Sequence, residues 1–355
     1  MGWAMSNKKM KVLHLLASNI FSGAENVACQ IISCFGDYEE AYCSPVGKIE
    51  EQLKEKGIKY IPIQKLTRRE VKRVVAEFKP DIIHAHDVKA SIMASFASKN
   101  IPIVSHIHCN DKKMSRIGLK SVLFKLASKK FSHIFFVSKG SFESYKFKKF
   151  IEKKSSILHN VIDTNMVVKR ASEDMRNYGN DIVYVGRLTS IKNPLRLVDI
   201  VEEIAKTDKN VTLSIVGDGE LKADLQKYIT EKKLNKNIKL LGFMSNPYKV
   251  IACSKVMLMT SISEGLPMCA LEALSLGAPI ISTKTDGLRE IIQNDKTGFL
   301  YDTNEQASAK ILELLQTPVK LNEMKSNATE FSKEYNDLGK YKQEIEKIYY
   351  SAVKK

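Results

Sequence analysis

Short apolar runs alternate along this chain with longer stretches whose apolar residues recur at helical spacing. The first run is Lys11 to Leu16, followed by a small loop through Ser22-Gly23 and a helix from Ala24. In the first half, further strands are expected at Tyr60–Ile63, Ile82–His84, Ile103–His106 and Ile134–Val137. Most are β-branched and run into polar loops, then helix-like segments. Such alternation reads as a parallel sheet with helices on both faces. The rhythm then restarts, with strands expected at Asp181–Val185, Val211–Val216, Ile238–Phe243, Val256–Met259, Pro279–Ser282 and Gly298–Leu300. Asp163 to Asn180, polar and weakly patterned, reads as a linker. The expected organisation is two doubly wound, Rossmann-like α/β domains, residues 1–170 and 171–335, facing across a cleft. Residues 336–355 form a terminal helix packing back toward the first domain. In open α/β sheets ligands bind at the carboxyl ends of strands, so candidate chemistry is sought just after each strand.

Composition narrows the class. A chain of 355 residues suits two domains, and 44% hydrophobic with 27% charged residues excludes disordered and collagen-like chains. No run of eighteen apolar residues is present, so no membrane-spanning helix is expected. The net charge of +16 is lopsided: residues 1–170 hold 30 basic and 15 acidic side chains, residues 171–355 hold 26 and 25. A one-sided basic surface implies an anionic partner. The six cysteines form no CxxC pair, which disfavours zinc and points to reduced thiols in a reducing compartment. Met1-Gly2 with Ser6 matches only the loose myristoylation pattern.

The densest chemistry lies at Ser261 to Ala273. Glu264 and Glu272 flank a segment in which Pro267 is placed to open a helix. The backbone N–H groups of Gly265, Leu266, Pro267's neighbours and Met268 would then be the unpaired donors of a helix start, suited to a phosphate. Two carboxylates beside that nest could accept from vicinal sugar hydroxyls. The plainer reading of the pair is an acid favoured by the helix dipole and an exposed helical glutamate. Gly186-Arg187-Leu188 follows a strand, and Lys192 lies five residues past Arg187. Arginine offers phosphate a planar fork and lysine a point charge, although two ordinary surface cations would look the same.

Gly-Arg-Leu-x-x-x-Lys-Asn at Gly186, followed by Ser-Glu-Gly-x-Pro-x-x-x-x-Glu-Ala at Ser263, resembles the retaining glycosyltransferases of family 4 with the GT-B fold. Supporting matches are Gly217-Asp218-Gly219-Glu220, Leu241-Gly242-Phe243, Ala278-Pro279 and Thr297-Gly298-Phe299, so the resemblance covers nearly the whole chain. It implies that Arg187 and Lys192 neutralise a donor diphosphate, that Glu264 contacts the transferred sugar, and that Glu272 holds the ribose hydroxyls. The loop around Gly217, Gly242 and Phe243 would meet the nucleotide. Similar enzymes are commonly metal-independent, so neither cofactor nor metal is expected, and the nucleotide-sugar, a UDP-sugar, is a substrate. The implied reaction is hexosyl transfer on the donor's own face, to a lipid-linked or cell-surface glycan.

In the first half, Ser22-Gly23-Ala24-Glu25 is not a G-x-G-x-x-G fingerprint, which disfavours a nicotinamide cofactor. The resemblance places Gly23 near the donor phosphates. Histidines cluster at His84-Ala-His86 and His106-Ile-His108-Cys-Asn110. Imidazoles two apart on a strand share a face and could ligate a metal, or simply be polar residues at strand ends. The resemblance makes His108 the catalytic-cleft histidine contacting the donor sugar, with His86, His106 and Asn110 on the acceptor side. Lys112–Phe131 and Ser141–Lys154 mix lysines with large apolar residues at helical spacing. A helix so built can lie on an anionic bilayer, or be a core helix with a solvated basic face. Peripheral attachment to the inner face of the plasma membrane is the expectation, with no nucleic-acid partner. An epimerase or hydrolase of the same fold, and a basic membrane-surface binding protein, are the competing readings.

Overall fold

The computed structural model describes residues 9–108, 111 and 113–354, and the chain divides into two compact units. The first comprises residues up to Asn160 together with Leu338–Lys355, and the second is Val161–Asp337. In the first unit β1 (Lys11–Leu15), β2 (Glu39–Pro45), β3 (Tyr60–Ile63), β4 (Ile82–Ala85), β5 (Ile103–Ile107), β6 (Phe131–Phe136) and β7 (Ser155–Ile157) form a sheet in the order β3-β2-β1-β4-β5-β6-β7. In the second, β8 (Ile182–Val185), β9 (Leu213–Val216), β10 (Ile238–Gly242), β11 (Val256–Met259), β12 (Ile280–Thr283) and β13 (Gly298–Tyr301) are ordered β10-β9-β8-β11-β12-β13. Every pairing within these sheets is parallel. Strand order reverses at β1/β4 in one sheet and at β8/β11 in the other, and such switch points open a crevice at the strands' carboxyl ends.

The strands are apolar on both faces because helices cover both. Leu13, Leu15, Ile83, Ile134 and Phe136 belong to the first core, and Tyr184, Leu213, Ile215, Leu258 and Ile281 to the second. Helix starts are fixed by side-chain oxygens. Thr67 accepts from the Glu70 N–H, and Asp87 accepts from those of Ala90 and Ala17, tying the β1 loop to the helix after β4.

Two boundaries differ from the sequence reading. The first unit ends at Asn160 rather than at residue 170, and the expected linker contains a helix, Thr164–Glu173, capped by Asp163. Val167 and Ala171 are its buried anchors, and the Asn246 amide donates to the Arg170 carbonyl while the Arg170 guanidinium lies over the Tyr248 ring. That helix therefore belongs to the second unit. The terminal helix, Leu338–Val353, groups with the first. It buries Tyr341, Ile345, Tyr349 and Ala352, spaced four, four and three apart along one face.

The two basic segments, Lys112–Phe131 and Ser141–Lys154, are only partly helical. Among its described residues the first is α-helical over Leu119–Ala127, after Gly118, and continues as a 3₁₀ turn at Ser128–Lys130. Residues 139–154 form two short helices, Lys139–Glu143 and Lys148–Ile151, and a 3₁₀ turn. Among the described residues no cysteine forms a disulfide. Cys29 and Cys43 are buried, and burial pushes both thiols up to about 12.

Candidate functional site

In the second unit the loops that follow β8, β9 and β10 are stacked by backbone bonds. The Gly186 N–H donates to the Val216 carbonyl, and the Gly217 N–H to the Gly242 carbonyl. Gly217 has φ +148°, and a Cβ there would fall 1.9 Å from the Gly186 oxygen, so only glycine fits. Phe243 is exposed beyond Gly242. The Arg187 side chain is exposed, while its carbonyl accepts from the Tyr184 hydroxyl at 3.1 Å.

Lys192 and Glu264 are brought together. The Lys192 ammonium lies 2.5 Å from Glu264 Oε1, and the Ser261 hydroxyl donates to the same oxygen at 2.6 Å. Thr260 donates to the carbonyls of Lys192 and Asn193, and the Ile262 N–H to that of Ile191. Those bonds fasten the β8 loop to the β11 loop across the strand-order switch. The helix that follows runs Met268–Ser275, with Pro267 at its cap position and no side chain capping it. Its first amides are therefore directed at whatever lies beyond the loop. Leu266, Pro267 and Met268 are buried. Glu272 lies over a turn into the helix and is only 7% exposed; the Tyr248 hydroxyl donates to its Oε1 at 3.3 Å. An exposed helical glutamate is thus excluded at this position.

The structure adds residues that motif reasoning passed over. Gly287 is the second residue of the helix Asp286–Ile291 after β12, and a Cβ there would fall 1.4 Å from the Gly265 oxygen. The Thr283 hydroxyl donates to the Ser261 carbonyl at 2.6 Å. A glycine four residues past a strand's threonine was the available signal for this contact.

In the first unit Gly23 begins the helix Gly23–Cys34 after β1, and a Cβ on it would meet nothing within 4 Å. Its own packing does not demand glycine. His86 follows β4, His106 lies in β5 and His108 follows β5. They are joined by His14 of β1 and His84 of β4, which pair in register across the switch point. The rings stack: His84 on His86 at 4.2 Å, His86 on His108 at 5.4 Å. Burial lowers the pKa of His84, His86 and His106 well below the usual imidazole value and that of His108 to about 3. His84 Nδ1 is 2.6 Å from the Tyr349 hydroxyl of the terminal helix. Asn110 lies outside the described residues. Nitrogens of His14, His84 and His86, and of His86, His106 and His108, lie within 4.8 Å of one another. His14 and Glu40, which supplies a buried carboxylate beside this group, were missed in the sequence. A lone polar residue in the apolar run Lys-Val-Leu-His-Leu-Leu was the signal.

Comparison with known proteins adds to this geometry. Residues 168–331 match the family described as "Glycosyl transferases group 1", and residues 27–166 match "Glycosyltransferase Family 4". An uncharacterized glycosyltransferase of Methanocaldococcus jannaschii is 33% identical over 245 residues, 62% of this chain and 60% of that protein. The UDP-Gal:alpha-D-GlcNAc-diphosphoundecaprenol alpha-1,3-galactosyltransferase of Escherichia coli is 24% identical over 84% of this chain and 86% of its own length. The crystal structure of Anabaena HepE in complex with UDP-glucose superposes with a TM-score of 0.84 at 22% identity, covering 96% of this chain and 100% of that one.

Proposed function

The chain belongs to the family 4 glycosyltransferases, with the GT-B fold, and from that premise we propose that it transfers a hexosyl group, with retention, from a UDP-sugar to a lipid-linked or cell-surface glycan. The Lys192–Glu264 pair carries this reading, set before an uncapped helix start with Glu272 buried a turn further on. A diphosphate would sit against the helix N-terminus, with Arg187 and Lys192 neutralising it as the sugar–phosphate bond breaks. Glu264 would accept from the sugar, and Glu272 from the ribose. The UDP preference is supported by the UDP-glucose held by HepE and the UDP-galactose named for the E. coli relative. The lipid-linked acceptor is likewise supported by the diphosphoundecaprenol substrate of that relative.

Retention without a nucleophilic carboxylate requires that the leaving diphosphate itself help remove the acceptor proton. Catalysis then rests on charge stabilisation and positioning, and no metal is invoked. Among the described residues no helix is long and apolar enough to cross a membrane. We assign membrane contact to the basic segment, where Ile117, Leu119, Leu126 and Phe150 are exposed among lysines. This would hold the protein peripherally on the inner face of the plasma membrane.

The test is a thermal-shift panel of UDP, GDP, ADP and their sugars without added metal. A ligand at a hundred times its dissociation constant stabilises by about 2.7 kcal/mol. A selective shift with UDP and its sugars is the expected result. A shift with GDP or ADP alone would replace the donor, and no shift with any would remove the site.

A further inference from the structure

Glu40, His14, His86 and His108 form an unbroken chain of contacts through the first unit. Glu40 Oε1 is 3.0 Å from His14 Nε2; His14 Nδ1 is 2.9 Å from His86 Nε2; His86 Nδ1 is 3.2 Å from His108 Nε2. Glu40, His14 and His86 are buried. The far end, His108 Nδ1, is a buried nitrogen with no hydrogen-bond partner among the described residues.

Each link has room for one proton. A neutral imidazole carries one N–H and one lone pair, so the state of one end dictates every tautomer in the chain. Desolvation holds His86 and His108 neutral. Burial raises the Glu40 pKa, while the His14 hydrogen bond and the Lys342 charge oppose that rise. An ionised carboxylate can only accept. With Glu40 ionised and one proton on His14, His14 donates from Nε2 and accepts at Nδ1. His86 in turn donates from Nε2 and accepts at Nδ1, and His108 donates from Nε2. A proton on Glu40 Oε1 would reverse all three bonds. Metal ligation is a poorer use of the same atoms. Facing nitrogens at 2.9–3.2 Å share a proton, whereas ligation needs both lone pairs turned onto a common ion.

We propose that Glu40, His14 and His86 are positioning residues that commit His108 to its Nε2–H tautomer, leaving Nδ1 as a hydrogen-bond acceptor for a hydroxyl of the sugar substrate. The assignment of that hydroxyl to a sugar rests on the transferase reading; the polarity of the chain does not. A buried acceptor without a partner is costly, and a substrate hydroxyl at His108 Nδ1 would satisfy it. The carboxylate at the other end supplies the direction and touches no substrate.

The test begins with the full-length protein carrying ¹⁵N-histidine, observed by NMR at neutral pH with assignment by single histidine variants. The expected result is protons on Nε2 of His14, His86 and His108, with couplings across the His14–His86 and His86–His108 bonds. Protons on Nδ1 of His14 and His86 would mean the reverse polarity and overturn the proposal, as would absence of both couplings. In Glu40→Met the polarity is released, and Nδ1-protonated forms of His14 and His86 should appear. If that variant does not fold, the wild-type spectrum alone still decides the polarity. With a sugar donor, Glu40→Met should lower kcat/KM by up to about 10-fold, the scale of one neutral hydrogen bond. Glu40→Met/His108→Phe should be no worse than His108→Phe, because Glu40 acts only through His108. Additive losses would make Glu40 merely structural and overturn the proposal. A protein that transfers no sugar yet shows the expected protons, lost in Glu40→Met, would refute the transferase reading and support the relay.

Discussion

The Lys192–Glu264 pair can be divided by two substitutions that act on nucleotide binding with opposite sign. One carboxylate oxygen is shared by the Lys192 ammonium and the Ser261 hydroxyl, with the two charged side chains 18% and 8% exposed. Removing one partner of a buried ion pair costs about 3–5 kcal/mol. Lys192 retains some water, and Ser261 still donates after it is gone, so Lys192→Met should destabilise by roughly 1–3 kcal/mol. The same substitution removes a charge-assisted contact to the diphosphate worth about 1.5–3 kcal/mol. UDP should therefore bind about 10- to 150-fold more weakly, each 1.4 kcal/mol being tenfold. Glu264→Gln does the reverse. It withdraws the anion that competes with UDP for the ammonium, so UDP alone should bind as well as before or a few-fold more tightly. Sugar transfer should fall, because the carboxylate proposed to accept from the sugar is gone. Isothermal titration with UDP, beside a transfer assay, reads both quantities. Equal losses of UDP affinity in the two variants, or none in Lys192→Met, would refute the assignment of Lys192 to the diphosphate.

Other outcomes follow from single contacts. Gly287→Ala places a carbon 1.4 Å from the Gly265 oxygen, so it should cost about 1–3 kcal/mol of stability and abolish the nucleotide-induced thermal shift; an unchanged melting curve would exclude the contact. Tyr349→Phe removes the hydroxyl at His84 and should destabilise by about 1 kcal/mol in chemical denaturation. His84, His86, His106 and His108 are all depressed from 6.5 by burial, so the folded chain binds fewer protons than the unfolded one below that pH. Stability should be full above pH 6.5 and fall as the pH drops, by up to about 1.4 kcal/mol per pH unit for each histidine; a melting temperature that rises from pH 6.5 to 5 would contradict this. Leu119→Asp with Phe150→Ser should weaken sedimentation with anionic vesicles, and high salt should weaken it in the parent protein; salt-insensitive binding, or none, would remove the membrane assignment.

The two parallel sheets were readable because their strands are short apolar runs between polar loops, as at Ile82–His84 and Val256–Met259. Glu264 and Glu272 were readable because their spacing survives intact. β2 was not, because it opens on Glu39-Glu40, and the reason a glutamate can enter a buried strand is His14, distant in sequence. The helix Thr164–Glu173 was hidden because only Val167 and Ala171 anchor it. Its partners, Tyr248 and Asn246, come some eighty residues later. The histidine chain shows the same limit. Two His-x-His pairs were visible, but the residue that links them to Glu40, His14, stands alone in an apolar run. Local pattern reports which face a residue takes; it does not report which distant polar group meets it there.

The return of the last helix to the first unit orders the way this protein is made. Residues 161–337 are contiguous and hold everything the second core needs, so that unit can close as soon as it leaves the ribosome. The first unit is synthesised earlier yet must wait for residues 338–353, since Tyr349 reaches His84 and its ring packs near Phe35 only once that helix has been made. Until then an apolar face of the older half stands open. A stop codon between residues 338 and 349 would therefore injure the half of the molecule that was translated first and spare residues 161–337.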